Sequence, residues 1–414
     1  MPTRVPSRDP AREERANQRN AVLAGFLGWT LDAFDFFLLV FVLVPIGAEF
    51  HRSVPEMALA LTASLAFRPV GAAIFGLLAD RWGRRLPLML DIVFYAAIEV
   101  LSGLAPNYTV FLILRALYGI GMGGEWGVGA SLAMESVTPK WRGVLSGVLQ
   151  EGYACGYLLA ALVYGSVFPH WGWRPLFFIG GLPALLALFV RAKVKEPEAW
   201  KQSRTRDWKQ YGQAIRRNWK RFGYIVILMM AMNLISHGTQ DLYPTFLSAQ
   251  RHFHPHAVAT LTIISMVGAI LGGLAFGLLS DRRGRRRAML VAVVTALAAI
   301  PLWIYAPTLR WLAVGAFLMQ FMVQGAWGVI PAHLNELSPG ALRGFFPGFA
   351  YQLGVLLASG VQTLEAWMAV RMAMGYAEAL ALVGAAVLIL GAVAIAAGPE
   401  ARGVSFVSPS SGEA

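Results

Sequence analysis

Ionisable side chains in the middle of long apolar stretches are the residues of this chain that could do chemistry. In one such stretch Asn233, His237 and Asp241 follow one another at intervals of four residues, and Ser236 and Gln240 lie beside them. On a helix, all five polar groups would share one side. Because a histidine titrates near neutral pH, the His237–Asp241 pair predicts a site that binds and releases a proton. Polar contacts that only hold helices together are the alternative.

A second candidate is Arg68, which lies in the middle of another apolar stretch and precedes Pro69. A guanidinium stays charged and offers a planar fork that matches a carboxylate. The proline ring disrupts local backbone hydrogen bonding and opens space beside the arginine. The sequence therefore favours Arg68 as the group that binds a substrate carboxylate. A static ion pair with Asp32, Asp35 or Glu125 is the alternative.

These residues lie in segments that are long and apolar enough to cross a lipid bilayer. The chain has 414 residues, of which 57% are hydrophobic and 14% charged, more apolar surface than a soluble domain of this size can cover. Only helices suit these segments, because an open sheet would leave backbone groups unpaired in lipid. We place twelve spans of about 20 residues near 21–45, 57–79, 87–105, 110–134, 143–168, 175–191, 222–247, 257–279, 288–306, 311–334, 344–369 and 375–397.

The distribution of Lys and Arg predicts the orientation of the spans. Twenty-eight of the 35 basic residues fall in the tails and in alternate loops on one side, and five fall on the other. Basic residues are retained on the cytoplasmic side, so we expect both termini there and the protein in the inner (plasma) membrane of the cell. This bias and attraction to anionic lipid explain the net charge of +12 without nucleic acid. The polar segment 1–20 is interpreted as a tail and not as a signal peptide.

The chain repeats itself at an offset of 201 residues. GLLADRWGRR at 76–85 returns as GLLSDRRGRR at 277–286, so that Asp80 corresponds to Asp281. The further corresponding pairs are Trp126 and Trp327, Glu135 and Glu336, and Arg142 and Arg343. Two repeats of six spans predict a site between the halves near the middle of the membrane. The expected divisions are a tail at 1–20, a bundle at 21–191, a basic linker at 192–221, a second bundle at 222–397 and a tail at 398–414.

Charged residues at the cytoplasmic ends of the repeats could form a gate. The motif aspartates can pair with arginines at neighbouring helix ends, and the two repeated glutamates are expected to join them. Such clusters would hold the cytoplasmic face shut in one conformation and separate in the other. The residues assigned to the gate are Asp80, Arg84, Glu135, Arg142, Asp281, Arg285, Glu336 and Arg343.

Over essentially its full length the chain resembles the major facilitator superfamily. The repeated loop G-x-L-[AS]-D-R-x-G-R-R is the most specific motif of that superfamily, and its glycines permit close packing of helices. The resemblance implies an all-α membrane protein with twelve transmembrane helices in two pseudo-symmetric six-helix bundles. It implies transport by alternating access, and no enzymatic activity.

Residues 233–245, NLISHGTQDLYPT, resemble the signature of the Jen-type lactate and pyruvate permeases, which are proton symporters close to bacterial sialate symporters. FRPVGA at 67–72, GGEWGVG at 123–129 and YQLG at 351–354 are also similar to that group. Val355 stands where those permeases are expected to carry a polar residue, which leaves the choice among small acids open. The resemblance implies a carboxylate site lined by Arg68, Asn233, His237, Gln240, Asp241 and Gln352.

Proton coupling is assigned to acids of both halves. Asp32 and Asp35 share a helix face at i, i+3. In related sugar porters an acid of the first helix pairs with an arginine of the fourth, so the resemblance suggests Asp32 or Asp35 with Arg115. Asp241 is favoured as the proton carrier, with the helix-one acids as the alternative. The complete set is His237, Asp241, Asp32, Asp35, Arg115 and Glu125, whereas Glu99, Glu151 and Glu365 receive no role.

A carboxylate that crosses the membrane with one proton carries no net charge, so the membrane potential does not oppose its entry. The sequence therefore predicts a monomeric, proton-coupled symporter of small monocarboxylates such as L-lactate or pyruvate. Symport of sialate or aromatic acids is the alternative, and a transporter-like nutrient sensor is less favoured. We expect no cofactor, and no metal at the histidines of HFHPH (252–256), which lack acidic or thiol partners.

Overall fold

The computed structural model describes residues 10–204 and 207–407, and these residues form helices without any strand. Residues 1–9, 205–206 and 408–414 lie outside the described residues and include part of each predicted tail and two residues of the predicted linker. The first helix begins at Pro10, so the described part of the N-terminal tail extends that helix.

Each half of the chain forms six long helical segments. In the first half these are α1 Pro10–Glu49, α2 Val54–Trp82, α3 Arg85–Gly103, α4 Tyr108–Ser136, α5 Arg142–Gln150 with Gly152–Trp171, and α6 Arg174–Ile179 with Ala184–Lys193. Two linker helices follow, Glu198–Ser203 and Trp208–Arg217. In the second half the segments are α7 Trp219–Gln240, α8 Pro255–Arg283, α9 Arg285–Ile304, α10 Leu309–Leu337, α11 Phe346–Ala358 with Val361–Arg371, and α12 Tyr376–Ala397.

Eleven of the described helical segments are long and apolar enough to cross a membrane by length and composition. α4 is not among them, because Arg115, Glu125 and several glycines lower its mean hydropathy. It is nevertheless 29 residues long and packs against α1, α2 and α3. The described chain therefore has the twelve-helix architecture that the sequence predicts.

Equivalent glycines bring equivalent helices together in the two halves. A Cβ atom on Gly71 of α2 would lie 1.6 Å from the carbonyl oxygen of Ile120 on α4. One on Gly272 of α8 would lie 2.0 Å from the carbonyl oxygen of Phe321 on α10. Both pairs are separated by the repeat offset of 201 residues. Only glycine permits this backbone approach, so the sequence repeat is also a repeat of helix packing.

The two halves are closed against each other at the end of the bundle that carries the basic loops, called the basic end below. The carboxylate of Asp80 accepts hydrogen bonds from the backbone N–H groups of Gly344 (2.6 Å) and Phe345 (3.1 Å), just before α11. Asp281 accepts from Gly143 (2.9 Å) and Val144 (3.0 Å) at the start of α5. Each aspartate thus binds the first turn of a helix in the other half, where the helix dipole favours negative charge.

Four arginines complete the contacts at the basic end. Arg84 lies 2.8 Å from both Asp80 and Glu135, and Arg343 of the other half lies 3.0 Å from Glu135. The equivalent residues form the same contacts on the other side of the repeat. Arg285 lies 2.7 Å from Asp281 and 2.9 Å from Glu336, and Arg142 lies 3.6 Å from Glu336. The eight predicted gate residues are therefore together, and each glutamate bridges an arginine of its own half and one of the other half.

The linker and the C-terminal segment bind the same loops from outside. Glu196 accepts hydrogen bonds from the backbone N–H groups of Arg84 (2.9 Å) and Arg85 (3.1 Å). Glu400 accepts from those of Arg285 (3.1 Å) and Arg286 (3.0 Å). Burial raises the pKa of Glu196 above its ordinary value, although these N–H donors oppose the shift.

On the linker, the Tyr211 hydroxyl donates to Asp80 at 2.5 Å, and the indole N–H of Trp200 donates to the Asp80 carbonyl at 2.8 Å. Burial raises the pKa of Tyr211 well above its usual range, so the hydroxyl remains a donor. The linker helices therefore rest directly on the gate.

Candidate substrate and proton site

A cleft of about 220 Å³ lies between the halves. Its wall from the first half is aromatic, with Phe37, Tyr153 and Tyr157, and its wall from the second half is polar, with Gln240 and Asp241. α8 and α10 contribute the remaining surface of the second half. The cleft is therefore positioned between the repeats, as predicted for a transporter fold.

The polar stripe of α7 contains a hydrogen-bonded acid–base pair. His237 Nδ1 lies 2.9 Å from Asp241 Oδ2, and the two side chains are 34% and 32% exposed. The Gln362 amide of α11 also donates to the Asp241 carboxylate. Asp241, which lines the cleft, is therefore partly exposed and hydrogen-bonded to the adjacent imidazole.

The other residues of the stripe form hydrogen bonds within α7 or with α10. Ser236 donates to Gln240 (3.4 Å), and Gln324 of α10 donates to Ser236 (3.4 Å). Asn233 is buried, and its amide donates to the Met229 carbonyl at 2.8 Å. Asn233 thus retains its side-chain oxygen and one of its two N–H donors for any bound molecule.

Arg68 is 5% exposed and is not fully paired. Its Nη2 atom lies 3.7 Å from Asp32 Oδ2, beyond hydrogen-bond distance, and Nε and Nη2 donate to no described acceptor. Tyr153 and Tyr351 are close enough to interact electrostatically with this guanidinium. Buried donors without acceptors are unfavourable, so Arg68 is suited to receive an anion beside the aromatic wall of the cleft.

Gln352, predicted to line the same site, is 1% exposed, and neither its amide oxygen nor its amide nitrogen has a hydrogen-bond partner among the described residues. It follows Tyr351, whose ring lies 4.7 Å from that of Trp126 and 5.8 Å from that of Trp327. Gln352 is therefore a second buried polar side chain with unused hydrogen-bonding capacity.

The structure gives Arg115 a different nearest partner from the one that the sequence suggested. Arg115 pairs with Glu99 at 2.7 Å, donates to Ser102, and lies 4.5 Å from the ring centroid of Tyr118. Asp32 and Asp35 lie outside ion-pair distance of Arg115, although Asp35 interacts with it electrostatically. Glu99 on α3 therefore faces Arg115 on α4. The sequence alone gave Glu99 no role.

The first half buries more acids than cations. Away from the basic end, five of its carboxyl groups are fully buried, and two buried arginines, Arg68 and Arg115, accompany them. Because an unpaired buried charge is costly in a membrane, the most stable state places protons on the surplus carboxyl groups. These acids are Asp32, Asp35, Asp91, Glu99 and Glu125.

Sequence reasoning assigned no role to several residues that form the site. The ring of Tyr153 stacks on Trp29 at 5.5 Å, although nothing in its local sequence distinguishes it from other tyrosines. Glu365 of α11 is fully buried without a hydrogen bond to its carboxyl oxygens, and it interacts electrostatically with Asp241. The repeat of Trp126 as Trp327 was the one signal that could have located the aromatic contacts.

The described residues include no group of three or more His, Cys, Asp or Glu side chains arranged to hold a metal ion.

Residues 25–359 match the Major Facilitator Superfamily. The chain therefore belongs to this family of membrane transporters, which are not enzymes, and it is a multi-pass membrane protein. The solved structure of the proton:xylose symporter XylE has the same fold, with a TM-score of 0.73, 18% sequence identity, and coverage of 95% of this chain and 98% of that one.

Two proteins with similar sequences are named as transporters of acids. A carboxylic acid transporter protein homolog of Saccharomyces cerevisiae is 28% identical over 85% of this chain, which spans 61% of the length of that relative. The sialic acid transporter NanX of Escherichia coli is 28% identical over 81% of this chain and 84% of its own length.

The contacts of Arg115 predict different effects for two buried acids. Glu99→Gln should lower thermal stability strongly, because it leaves Arg115 as an unpaired buried charge, at a cost of about 3–5 kcal/mol. Asp35→Asn is the matched control: its carboxyl group has no hydrogen-bond partner, so a neutral amide should change stability much less. Thermal unfolding of the purified variants measures both. Equal melting temperatures for the two variants would contradict this assignment of the ion pair.

Proposed function

We propose that the chain is a proton-coupled symporter of small monocarboxylates, such as L-lactate or pyruvate, that works by alternating access. The observation that carries this proposal is the buried guanidinium of Arg68, which has donors without acceptors. The hydrogen-bonded pair His237 and Asp241 lies on α7, and Asp241 lines the cleft. Tyr153 interacts electrostatically with both Arg68 and Asp241, so a fixed cation and a proton site, the two parts that such a carrier needs, lie near the same aromatic residue. The relatives named for carboxylic acids and sialic acid support an organic acid as the substrate.

Electrostatics explains why the acid and the proton should move together. Importing an anion against a potential of 100 mV, inside negative, costs about 2.3 kcal/mol. Adding one proton removes this cost and contributes about 1.4 kcal/mol per unit of pH gradient. In addition, a site that holds both the anion and the proton has no added charge. Closing that site off from water therefore costs less solvation free energy than closing a charged site.

The residues have separate roles in this proposal. Arg68 binds the substrate carboxylate, and Gln352 and Gln240 orient its other polar groups. Asn233 can accept a hydrogen bond from a substrate hydroxyl through its side-chain oxygen, while one of its N–H donors is bonded to the helix backbone. His237 donates to the substrate and shares the proton with Asp241.

In the first half, Asp32 and Asp35 are the alternative proton carriers. Asp32 is the acid nearest Arg68, so it loses part of its ion pair when a substrate carboxylate approaches. Glu125 interacts electrostatically with both Asp32 and Arg68. Arg115 is placed to influence Asp35 from its pair with Glu99. These contacts link the charge of the bound substrate to the protonation of the buried acids in the first half.

The distribution of Lys and Arg supports an orientation with the basic end in the cytoplasm of the cell that bears the protein in its plasma membrane. The basic end is closed by the inter-half contacts, whereas His237 and Asp241 are each about one-third exposed. In that orientation the conformation is open to the outside and ready to receive acid and proton. Separation of the halves at the basic end would then release both inward.

Symport of a larger acid, such as sialate or an aromatic acid, is the second candidate. The observation in its favour is the wall formed by Phe37, Tyr153 and Tyr157, on which a ring could stack. The similarity to NanX also favours it. Competition experiments distinguish the two candidates, because one pocket should not bind acids of such different size equally well.

The test of the proposed function is uptake by proteoliposomes that contain the purified protein. An inwardly directed proton gradient should drive accumulation of labelled lactate, and a protonophore should abolish it. Unlabelled pyruvate, succinate, benzoate and sialate added in excess then report the substrate class by inhibition. Accumulation that follows a sodium gradient and ignores pH would exclude proton coupling.

Arg68 variants test the anion-binding site. Arg68→Lys keeps the charge but loses the bidentate fork, so the apparent affinity should fall about tenfold to hundredfold, as expected for about 1.5–3 kcal/mol from a charge-assisted hydrogen bond. Arg68→Gln should be nearly inactive in both uptake and exchange. Arg174→Lys is the control, because Arg174 pairs with Glu49 away from the cleft. Unchanged affinity in Arg68→Lys would make Arg68 a structural residue.

Asp241→Asn tests the proton carrier, because asparagine imitates the protonated acid permanently. This variant should lose accumulation driven by a pH gradient but retain exchange of internal for external substrate, which requires no net movement of protons. The same two assays on Asp32→Asn and Asp35→Asn provide the comparison. Full gradient-driven accumulation by Asp241→Asn would move the proton carrier to α1.

A further inference from the structure

Glu151 lies at the point where the two pieces of α5 meet, on the seam between the halves. It shares one face of α5 with Gly143 and Gly147, at intervals of four residues. A Cβ atom on Gly143 would lie 2.4 Å from the carbonyl oxygen of Gly277 on α8, and one on Gly147 would lie 2.5 Å from that of Gly273. These glycines therefore form a tight seam between α5 and α8, and Glu151 occupies its next position toward the cleft.

The Glu151 side chain fills the space that the absent side chain of Gly273 leaves. Its Oε1 atom lies 2.1 Å from the position of a Cβ atom on Gly273. Glu151 is 9% exposed, and it also lines the cleft that contains Asp241. The carboxyl group is thus closed off toward the basic end by the seam and has access to protons from the cleft.

Among the residues that the structure describes, no cation compensates Glu151 and no hydrogen bond to its carboxyl group is present. Its neighbours are uncharged: Gly273 on α8 and Gln324 on α10 border the carboxyl group, and Trp29 and Thr30 on α1 border the adjacent Gly152. The titratable groups nearby are Tyr153 and Cys155 on α5 and Asp241 across the cleft. None of these carries a positive charge, so a buried Glu151 is far more stable protonated than ionised.

We infer that Glu151 is a further proton-binding site of the transport cycle, loaded while α5 and α8 are packed together and emptied when they separate. This inference rests on the proposed alternating access. Opening the basic end must part the glycine contacts of the seam, and water then reaches the carboxyl group. The group ionises in water and releases its proton at the basic end.

The direction of the pH dependence follows from this difference in protonation. The closed seam binds one proton more than the separated seam, so low pH favours closure and high pH favours opening. A single proton changes the equilibrium between the two conformations by at most about tenfold per pH unit.

The internal repeat makes this property specific to one seam. The repeat counterpart of Glu151 is Gln352, which is 1% exposed on α11, where Gly348 packs against Gly127 of α4. An amide at the equivalent position cannot titrate, so only the α5–α8 seam responds to pH. Gln352 also shows that the repeat accepts glutamine at this position, so Glu151→Gln is expected to fold.

The experiment measures opening of the basic end without any substrate. Lys140 and Arg282 are exposed residues on opposite sides of the α5–α8 seam, and they can carry spin labels as cysteines in a Cys155→Ser protein. In the otherwise unchanged protein, the fraction of long distances between the labels should rise with pH. In Glu151→Gln the short distances should persist at every pH, whereas Glu151→Asp should keep the response to pH. A wild-type pH response in Glu151→Gln would overturn the inference.

Gly273→Ala provides a second and independent test. The added methyl group would displace the Glu151 carboxyl group from its place in the seam, so closure would no longer bury that group and the distances should no longer depend on pH. A pH response equal to that of the wild type in this variant would also overturn the inference. Because the distances are measured without substrate, failure of monocarboxylate uptake would refute the proposed substrate and leave this result unaffected.

Discussion

The cost of burying a charge in a membrane protein determines how the ionisable residues of this chain are arranged. At the basic end each buried glutamate lies between two arginines, as Glu135 does between Arg84 and Arg343. In the first half Glu99 compensates Arg115 at 2.7 Å. In the centre compensation is incomplete, because Arg68 lies 3.7 Å from its nearest acid. Compensation is therefore complete at the basic end and incomplete around Arg68, where the proposed anion would supply it.

The sequence grouped the residues of the basic end correctly because they belong to a repeated motif. A motif that recurs at a constant offset marks equivalent structural positions, so Asp80 and Asp281 could be assigned together before any contact was known. The partners of Glu135 were harder to predict, since Arg142 is its neighbour in sequence, whereas Arg343 is its partner in space. Such cross-pairing depends on the relative position of the two halves, which no local pattern specifies.

The candidate site was predictable to the extent that helical spacing determines it. His237 and Asp241 lie one turn apart on a single helix, and the structure shows the expected hydrogen bond. The partner of Arg115 depends instead on how α3 and α4 rotate against each other, so the choice of Asp32 or Asp35 over Glu99 had no local basis. Tyr153 was missed for the same reason, because aromatic residues in an apolar helix look alike until their neighbours are known.

The pairing pattern also explains how the gate can open repeatedly without leaving a bare buried charge. Arg84 and Glu135 belong to the same half and would remain paired after separation, and the caps made by Glu196 and Glu400 likewise stay within one half. The contacts that must break are the hydrogen bonds that Asp80 and Asp281 accept from the other half and the ion pairs of Arg142 and Arg343 with glutamates of the other half. The guanidinium groups of Arg142 and Arg343 also stack on the Phe406 ring, at 3.5 and 3.8 Å from its centroid. Because freed arginines at the basic end would be hydrated at once, opening costs mainly directional contacts, which substrate binding and release of a proton can offset.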